Sequence, residues 1–359
     1  MRWLITEGVA IMRITHINLA RGFRGGERQT ALLIQYLSKQ AIPQYLVCRT
    51  DSPLRQYLMD TPGLSFISAN HYLHGHFKHS QASDLCHAHE AKGAYWAYIR
   101  HVFKNTPYVI TRRVLNPLSQ NRLTRSVYRR AKAVVALSSA IKERIEAYAP
   151  ALNQIRIIPS AKSDLPYNPD TVSRLKQQYQ GKFVIGHIGA LVNKDKGQHY
   201  LIEAARALRP EIAELYFIFL GEGKDRPVFQ AAAEGLDNIE FAGFKKNVGD
   251  YLAMMHIMVL TSLRPGLGSI FLDAMDYRVP VIASQVGGIP DMISHGKNGF
   301  LVPPAESGAI AEAIRTLYSD EKKRREMAEA GFQTARRYSA DQIGKAYLDF
   351  YQELCSPLL

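Results

Sequence analysis

Short apolar runs alternate with longer amphipathic stretches along most of the chain. In the first half such runs fall at 12–18 (M-R-I-T-H-I-N), 45–49 (Y-L-V-C-R), 64–68 (L-S-F-I-S), 84–89 (D-L-C-H-A-H), 108–111 (Y-V-I-T), 133–137 (A-V-V-A-L) and 155–159 (I-R-I-I-P). Helical periodicity separates most of them, as at 27–40 and 138–149. The pattern then restarts at 183–189, 215–220, 239–243, 256–261, 279–284 and 299–302, and turns helical after Pro303 and Pro304. Alternation of this kind predicts parallel sheets covered by helices on both faces, and two such series predict two doubly wound domains. Residues 160–181, with Pro166, Pro169 and Gly181 and little apolar content, read as the linker. Ligands of such sheets bind at the carboxyl ends of the strands, so two facing domains point to an interdomain cleft.

Length supports the same division, because 359 residues exceed the size at which one core stops growing. No apolar run approaches the ~18 residues of a membrane span, and residues 1–11 lack the pattern of a secretory signal. Three widely spaced cysteines (Cys48, Cys86, Cys355) fit a reducing compartment, so a cytoplasmic location is expected.

Charge sharpens the picture once it is divided. Residues 1–182 carry 26 Lys/Arg against 10 Asp/Glu, whereas 183–359 carry 19 against 22. The densest stretch, 112–132, holds seven basic residues and no acidic one. Such a field attracts an anionic partner, and a solvated helix face is the plainer alternative. A helix near 119–132 would set Arg122, Arg125 and Arg129 on one face, suited to a membrane carrying phosphorylated headgroups. No nucleic-acid motif accompanies the charge, and nucleic acid is not expected as a partner.

Candidate chemistry gathers where strands end. Gly25 and Gly26 lie between the first strand and a helix beginning near Glu27, where backbone N–H groups can face an anion; a tight turn that binds nothing is the alternative. Lys196, in I-G-A-L-V-N-K-D-K-G, stands at a loop-to-helix junction that suits a phosphate. Gly221 and Gly223 form a second glycine-rich turn. The stretch S-L-R-P-G-L-G-S-I-F-L-D-A-M places Gly266 and Gly268 ahead of a helix, with Asp273 able to accept two bonds from vicinal hydroxyls. Together these describe a site for a nucleoside diphosphate bearing a polyhydroxyl group. His71, His74, His76 and His79 crowd nine residues, but no cysteine or carboxylate lies among them and no metal site is expected there.

These motifs, in this order, resemble the retaining glycosyltransferases of family 4, which have a GT-B fold. The resemblance rests on R-G-G-E-R-Q, D-L-C-H-A-H, T-R-R-V, I-R-I-I-P-S, G-A-L-V…K-G, L-G-E-G, G-L-G-S-I-F-L-D-A-M and V-P-V-I-A-S-Q-V-G-G-I-P-D, and it covers the chain from Met12. It is nearest to the subgroup that builds bacterial lipopolysaccharide core and other surface glycans. It implies two Rossmann-like domains: an acceptor domain over 12–160, with the helix at 341–359 packing back, and a donor domain over 161–340. Residues 1–11 would be an extension outside the core. The reaction implied is hexosyl or N-acetylhexosaminyl transfer from a nucleotide-diphosphate sugar, UDP-sugar favoured, to a lipopolysaccharide-core or lipid-linked acceptor. It would take place at the inner face of the bacterial inner membrane, on a peripherally bound enzyme.

By position, the resemblance implies that Lys196 holds the donor diphosphate, that Gly266, Leu267, Gly268 and Ser269 contact the donor, and that Asp273 binds the ribose. Gly25, Gly26, Gly221 and Gly223 complete the donor side, with Arg113, Lys196 and Asp273 as catalytic candidates. His89, Glu90, Arg112 and Arg113 are the acceptor-side candidates. No Asp-x-Asp occurs in the chain, so neither a metal nor another cofactor is expected. Two departures stand out. Proline occupies position 265, where the family usually carries an acidic residue, and Arg113 falls where many members have histidine. Pro265 leaves a second reading open, a degenerate member that binds nucleotide-sugar or a partner without turnover.

Overall fold

The computed structural model describes residues 5–6, 9–10, 12–76, 83–150, 152, 154–264 and 269–356. Two compact units are present, Met1–Ala161 with Ala340–Leu359, and Lys162–Ser339. Each is an α/β unit built on a parallel sheet, and no helix among the described residues is long and apolar enough to cross a membrane.

In the first unit β1 (Ile5–Thr6) pairs antiparallel with β2 (Val9–Ala10). The main sheet then uses β3 (Ile14–Ile17), β4 (Gln44–Cys48), β5 (Leu64–Ser68), β6 (Leu85–Ala88), β7 (Tyr108–Arg112), β8 (Ala133–Ala136) and β9 (Ile155–Ile157). Between them run α1 (Gly25–Lys39), α2 (Pro53–Tyr57), α3 (Ala91–Lys104), α4 (Arg122–Arg129) and α5 (Ser139–Tyr148). The strand order is β5-β4-β3-β6-β7-β8-β9, every main-sheet pairing is parallel, and the order reverses between β3 and β6.

The second unit contains α6 (Pro169–Gln178), β10 (Phe183–Ile188), α7 (Asn193–Lys196), α8 (Gln198–Leu208), β11 (Leu215–Leu220), α9 (Arg226–Ala232), β12 (Ile239–Gly243) and α10 (Val248–Leu252). It continues with β13 (Ile257–Leu260), α11 (Ile270–Asp276), β14 (Val281–Ser284), β15 (Phe300–Val302), α12 (Ser307–Ser319) and α13 (Glu321–Arg336). Its order is β12-β11-β10-β13-β14-β15, reversing between β10 and β13. The last helix, α14 (Ala340–Cys355), returns to the first unit, where Tyr347, Phe350, Tyr351 and Leu354 join Ile14, Leu85 and Val109 in one core.

Burial explains why these runs became strands. The four residues of β3, β6, β8, β13 and β14 are all buried, as expected of strands covered on both sides. One stretch differs from the sequence reading: the expected linker contains α6. Asn168 caps it by accepting from the N–H groups of Asp170 and Thr171, Pro169 occupies its first turn, and Val172 and Leu175 are buried. Proline suits that position because a first-turn N–H has no intrahelical partner.

Candidate functional site

Both units concentrate their chemistry beside the point where the strand order reverses, the usual ligand rim of open α/β sheets. In the first unit that rim follows β3, β6 and β7. Helix α1 starts there, and its N-cap residue is Arg24, whose side chain has no acceptor atom for the first-turn N–H groups. Gly25 has open space where a side chain would stand, whereas a Cβ on Gly26 would lie 3.6 Å from Cδ of Arg113. Arg113 thus passes along the head of α1. Its Nε is buried without a hydrogen-bond partner among the described residues, and burial lowers its pKa.

The other acceptor-side candidates occupy distinct settings. Arg112 donates to the carbonyl of Asn116. His89 is 2% exposed, its ring nitrogens facing His16 at 2.9 Å and Arg113 at 3.5 Å. Glu90 caps α3, accepting from the N–H groups of Lys92 and Gly93 at 2.6 Å each and of Leu19 at 3.2 Å. Removing this cap in Glu90→Ala is expected to cost about 1–2 kcal/mol, read from urea unfolding followed through Trp96 of the same helix.

His87 lies on β6 with His89 one residue past its end, and His16 faces His87 in the β3–β6 register. These three histidines are the group among the described residues whose ligand atoms all come within 4.8 Å of one another. His87 bonds Tyr351 at 2.5 Å and Thr111 at 2.6 Å, tying α14 to the sheet. Burial pushes the pKa of His16 down to about 3 and holds those of His87 and His89 well below the ordinary value. The H-x-H spacing shows in sequence, since residues two apart share a strand face. Their partner His16, over 70 positions away, does not. Of the crowded histidines, His76 stacks on Trp96 at 4.6 Å, and Nε1 of Trp96 donates to the carbonyl of His74. His79 lies outside the described residues.

In the second unit the rim follows β10 and β13. Lys196 ends α7, its carbonyl accepting from the Thr261 hydroxyl at 2.8 Å. Gly197, at φ +58°, links it to α8, and a Cβ there would strike the Thr261 carbonyl at 2.6 Å. Among the described residues no carboxylate lies within ion-pair distance of the Lys196 ammonium. Burial lowers its pKa, opposed by Asp195. His187 donates from Nδ1 to the Val259 carbonyl at 2.9 Å, and its Nε2 is buried without a partner.

Gly221 and Gly223 have a local reason for lacking side chains. A Cβ on either would lie 2.0 or 2.1 Å from the carbonyl oxygen of Gly189 or Leu191, so they let two loops cross. Asp273 sits in the first turn of α11, 3% exposed, and accepts from the Ser163 N–H at 2.5 Å. Ser269 is the N-cap residue of that helix, without a side-chain cap bond. Pro265, Gly266, Leu267 and Gly268 lie outside the described residues.

Two family models match the chain in succession. Residues 23–161 match Glycosyltransferase Family 4, and residues 171–334 match Glycosyl transferases group 1. The alpha-D-kanosaminyltransferase of Streptomyces kanamyceticus is 29% identical over 261 residues, 69% of this chain and 67% of that one. The lipopolysaccharide core biosynthesis glycosyltransferase LpsE of Rhizobium meliloti is 29% identical over 169 residues, 46% of this chain and 48% of that one. The chain spans about half the length of several curated relatives it matches. Among solved structures, HepE of Anabaena in complex with UDP-glucose superposes with a TM-score of 0.81 at 22% identity, covering 95% of this chain and all of that one.

Proposed function

We propose, from the premise that this chain belongs to the glycosyltransferases of family 4 with a GT-B fold, that it moves a sugar from a nucleotide-diphosphate donor, UDP-sugar favoured, to a lipopolysaccharide-core or lipid-linked glycan acceptor with retained anomeric configuration. The observation that carries this reading is Lys196: a largely buried ammonium without a carboxylate partner among the described residues, at the head of α8 beside the β10 rim. A buried charge left unpaired is costly, and a phosphate offers the compensation. HepE, whose structure was solved with UDP-glucose, supports the choice of nucleotide.

The chemistry asked of these residues is electrostatic. As the glycosidic bond to the donor breaks, negative charge accumulates on the departing diphosphate, and fixed donors stabilise it without reorganising. In the second unit Lys196 and the α8 dipole are such donors; in the first unit the N–H groups of Gly25 and Gly26 and the guanidinium of Arg113 have the same character. The Asp273 carboxylate, held by the Ser163 N–H, is our candidate for the ribose hydroxyls. On α4, Arg122, Arg125 and Arg129 are exposed while Thr124, Val127 and Tyr128 are buried, a basic face suited to an anionic membrane surface.

A thermal-shift panel of UDP-, GDP- and ADP-sugars tests the donor assignment. UDP-sugars are expected to raise the melting temperature by several degrees, and no shift with any nucleotide sinks the reading. Release of UDP on adding a lipopolysaccharide-core acceptor then separates a transferase from a chain that binds donor without turnover.

A further inference from the structure

Buried polar groups in the first unit form a chain of hydrogen bonds whose proton positions follow one from another. It begins at Gln44 of β4, whose Nε2 donates to the Ile34 carbonyl at 3.0 Å. That bond fixes the amide, so Oε1 is the atom facing Nε2 of His16 at 3.0 Å. An amide oxygen only accepts, which puts the His16 proton on Nε2 and leaves Nδ1 as a lone pair. His89 Nε2, 2.9 Å from that lone pair, must therefore carry the proton. The last ring atom, Nδ1 of His89, is left as an acceptor, and it faces Nη2 of Arg113 at 3.5 Å. Guanidinium donates only, so the chain ends without conflict.

We infer that Gln44, His16 and His89 are positioning residues that act in series to hold the Arg113 guanidinium against the head of α1. They leave its buried, unpartnered Nε–H for a phosphate oxygen of the substrate. This last step rests on the proposed role of Arg113; the bonding chain itself does not.

The surroundings support a relay over a metal centre. All six ring nitrogens of His16, His87 and His89 already have hydrogen-bond partners. Metal binding would require His16 and His89 to abandon the bond between them. Arg113 is the positive group facing the histidines, with Tyr347 and Tyr351 from α14 and Glu27 from α1 around it. A cation so placed disfavours imidazolium at His89 and His87, which keeps both rings neutral and the proton order intact.

Gln44→Glu inverts the relay without changing its shape. A carboxylate opposite His16 Nε2 favours the imidazolium, whose Nδ1–H then points at His89. His89 must accept at Nε2 and carry its proton on Nδ1, hydrogen against hydrogen with Arg113. Imidazole nitrogen NMR on the full chain should show His16 and His89 as neutral Nε2–H tautomers from pH 6 to 8. In Gln44→Glu, His89 should become the Nδ1–H tautomer, and the Arg113 Nε–H should lose protection from solvent exchange. With a donor and acceptor that turn over, kcat should fall about tenfold or more, the worth of a hydrogen bond to a charged group, and the melting temperature should fall as well, because the Ile34 carbonyl loses its donor.

If Gln44→Glu does not fold, His16→Leu and His16→Asn replace it. The asparagine oxygen can accept from His89 and should recover most of the kcat that leucine loses. A wild-type His89 protonated on Nδ1, or an Arg113 signal indifferent to these changes, overturns the relay. So does one equivalent of Zn(II) shifting the three rings. If no donor turns over, the proposed activity fails, while the NMR measurement still decides the relay.

Discussion

Lys196→Ala is expected to lower kcat/KM by about a hundredfold or more and, at the same time, to raise the melting temperature of the ligand-free protein. The two effects share one cause. The ammonium is largely buried, its pKa is lowered by that burial, and no carboxylate pairs with it among the described residues. The folded protein therefore bears a desolvation cost that an alanine removes, worth about 1 kcal/mol or more and about 2–4 °C for a unit the size of Lys162–Ser339. On the proposed reading a bound diphosphate offsets that cost in the wild type, and losing one preorganised donor to a developing anion typically costs 10²–10³ in rate. Scanning calorimetry with and without UDP separates the terms. The variant should melt higher than wild type alone and gain nothing from UDP. A variant that melts lower and still responds to UDP would mean that Lys196 is a packing residue and the phosphate lies elsewhere.

The strands were readable because burial on both sides leaves runs that are apolar at nearly every position. The apolar runs at 64–68, 215–220 and 239–243 coincide with β5, β11 and β12, and the other runs differ from their strands by one or two residues at the ends. Helix α6 escaped because its signals, Asn168 as cap and Pro169 in the first turn, are also those of a turn, and only the burial of Val172 and Leu175 tells them apart. The candidate site was legible to the extent that it depends on local chain chemistry. A lysine before a glycine at a strand-to-helix junction, or a glycine pair at a helix head, states its case within ten residues. Gly221 and Gly223 look the same in sequence, yet their missing side chains make room for the backbone at 189–191. The histidine relay was beyond reach. It joins Gln44 of β4, His16 of β3 and His89 just past β6 to Arg113, and its logic lies in proton positions that no periodicity encodes.

That histidine cluster also fixes how the protein should respond to acid. His16 has its pKa pushed down to about 3 and His187 to about 4, and those of His87 and His89 lie well below 6.5, burial being the largest cause in each. In the unfolded chain all four titrate near 6.5. Between that value and the folded one the unfolded state binds more protons, so stability is full above about pH 6.5 and falls as pH drops through the window below it. Each histidine contributes at most about 1.4 kcal/mol per pH unit there. Burial also lowers the pKa of His76 in the first unit and of His256 in the second, so four of these six histidines belong to the first unit, which should lose stability more steeply than the second. Trp96 is buried in the first unit, so its fluorescence, read in a Trp3→Phe background, follows that unit selectively. Urea midpoints from fluorescence should fall markedly between pH 7.5 and pH 5. Hydrogen exchange of β10, β11 and β13 should report a smaller drop for the second unit. A fluorescence midpoint flat across that range would show that the three histidines take up protons in the folded protein. The neutral network that ties α14 to the sheet through His87 and Tyr351 could not then hold as described.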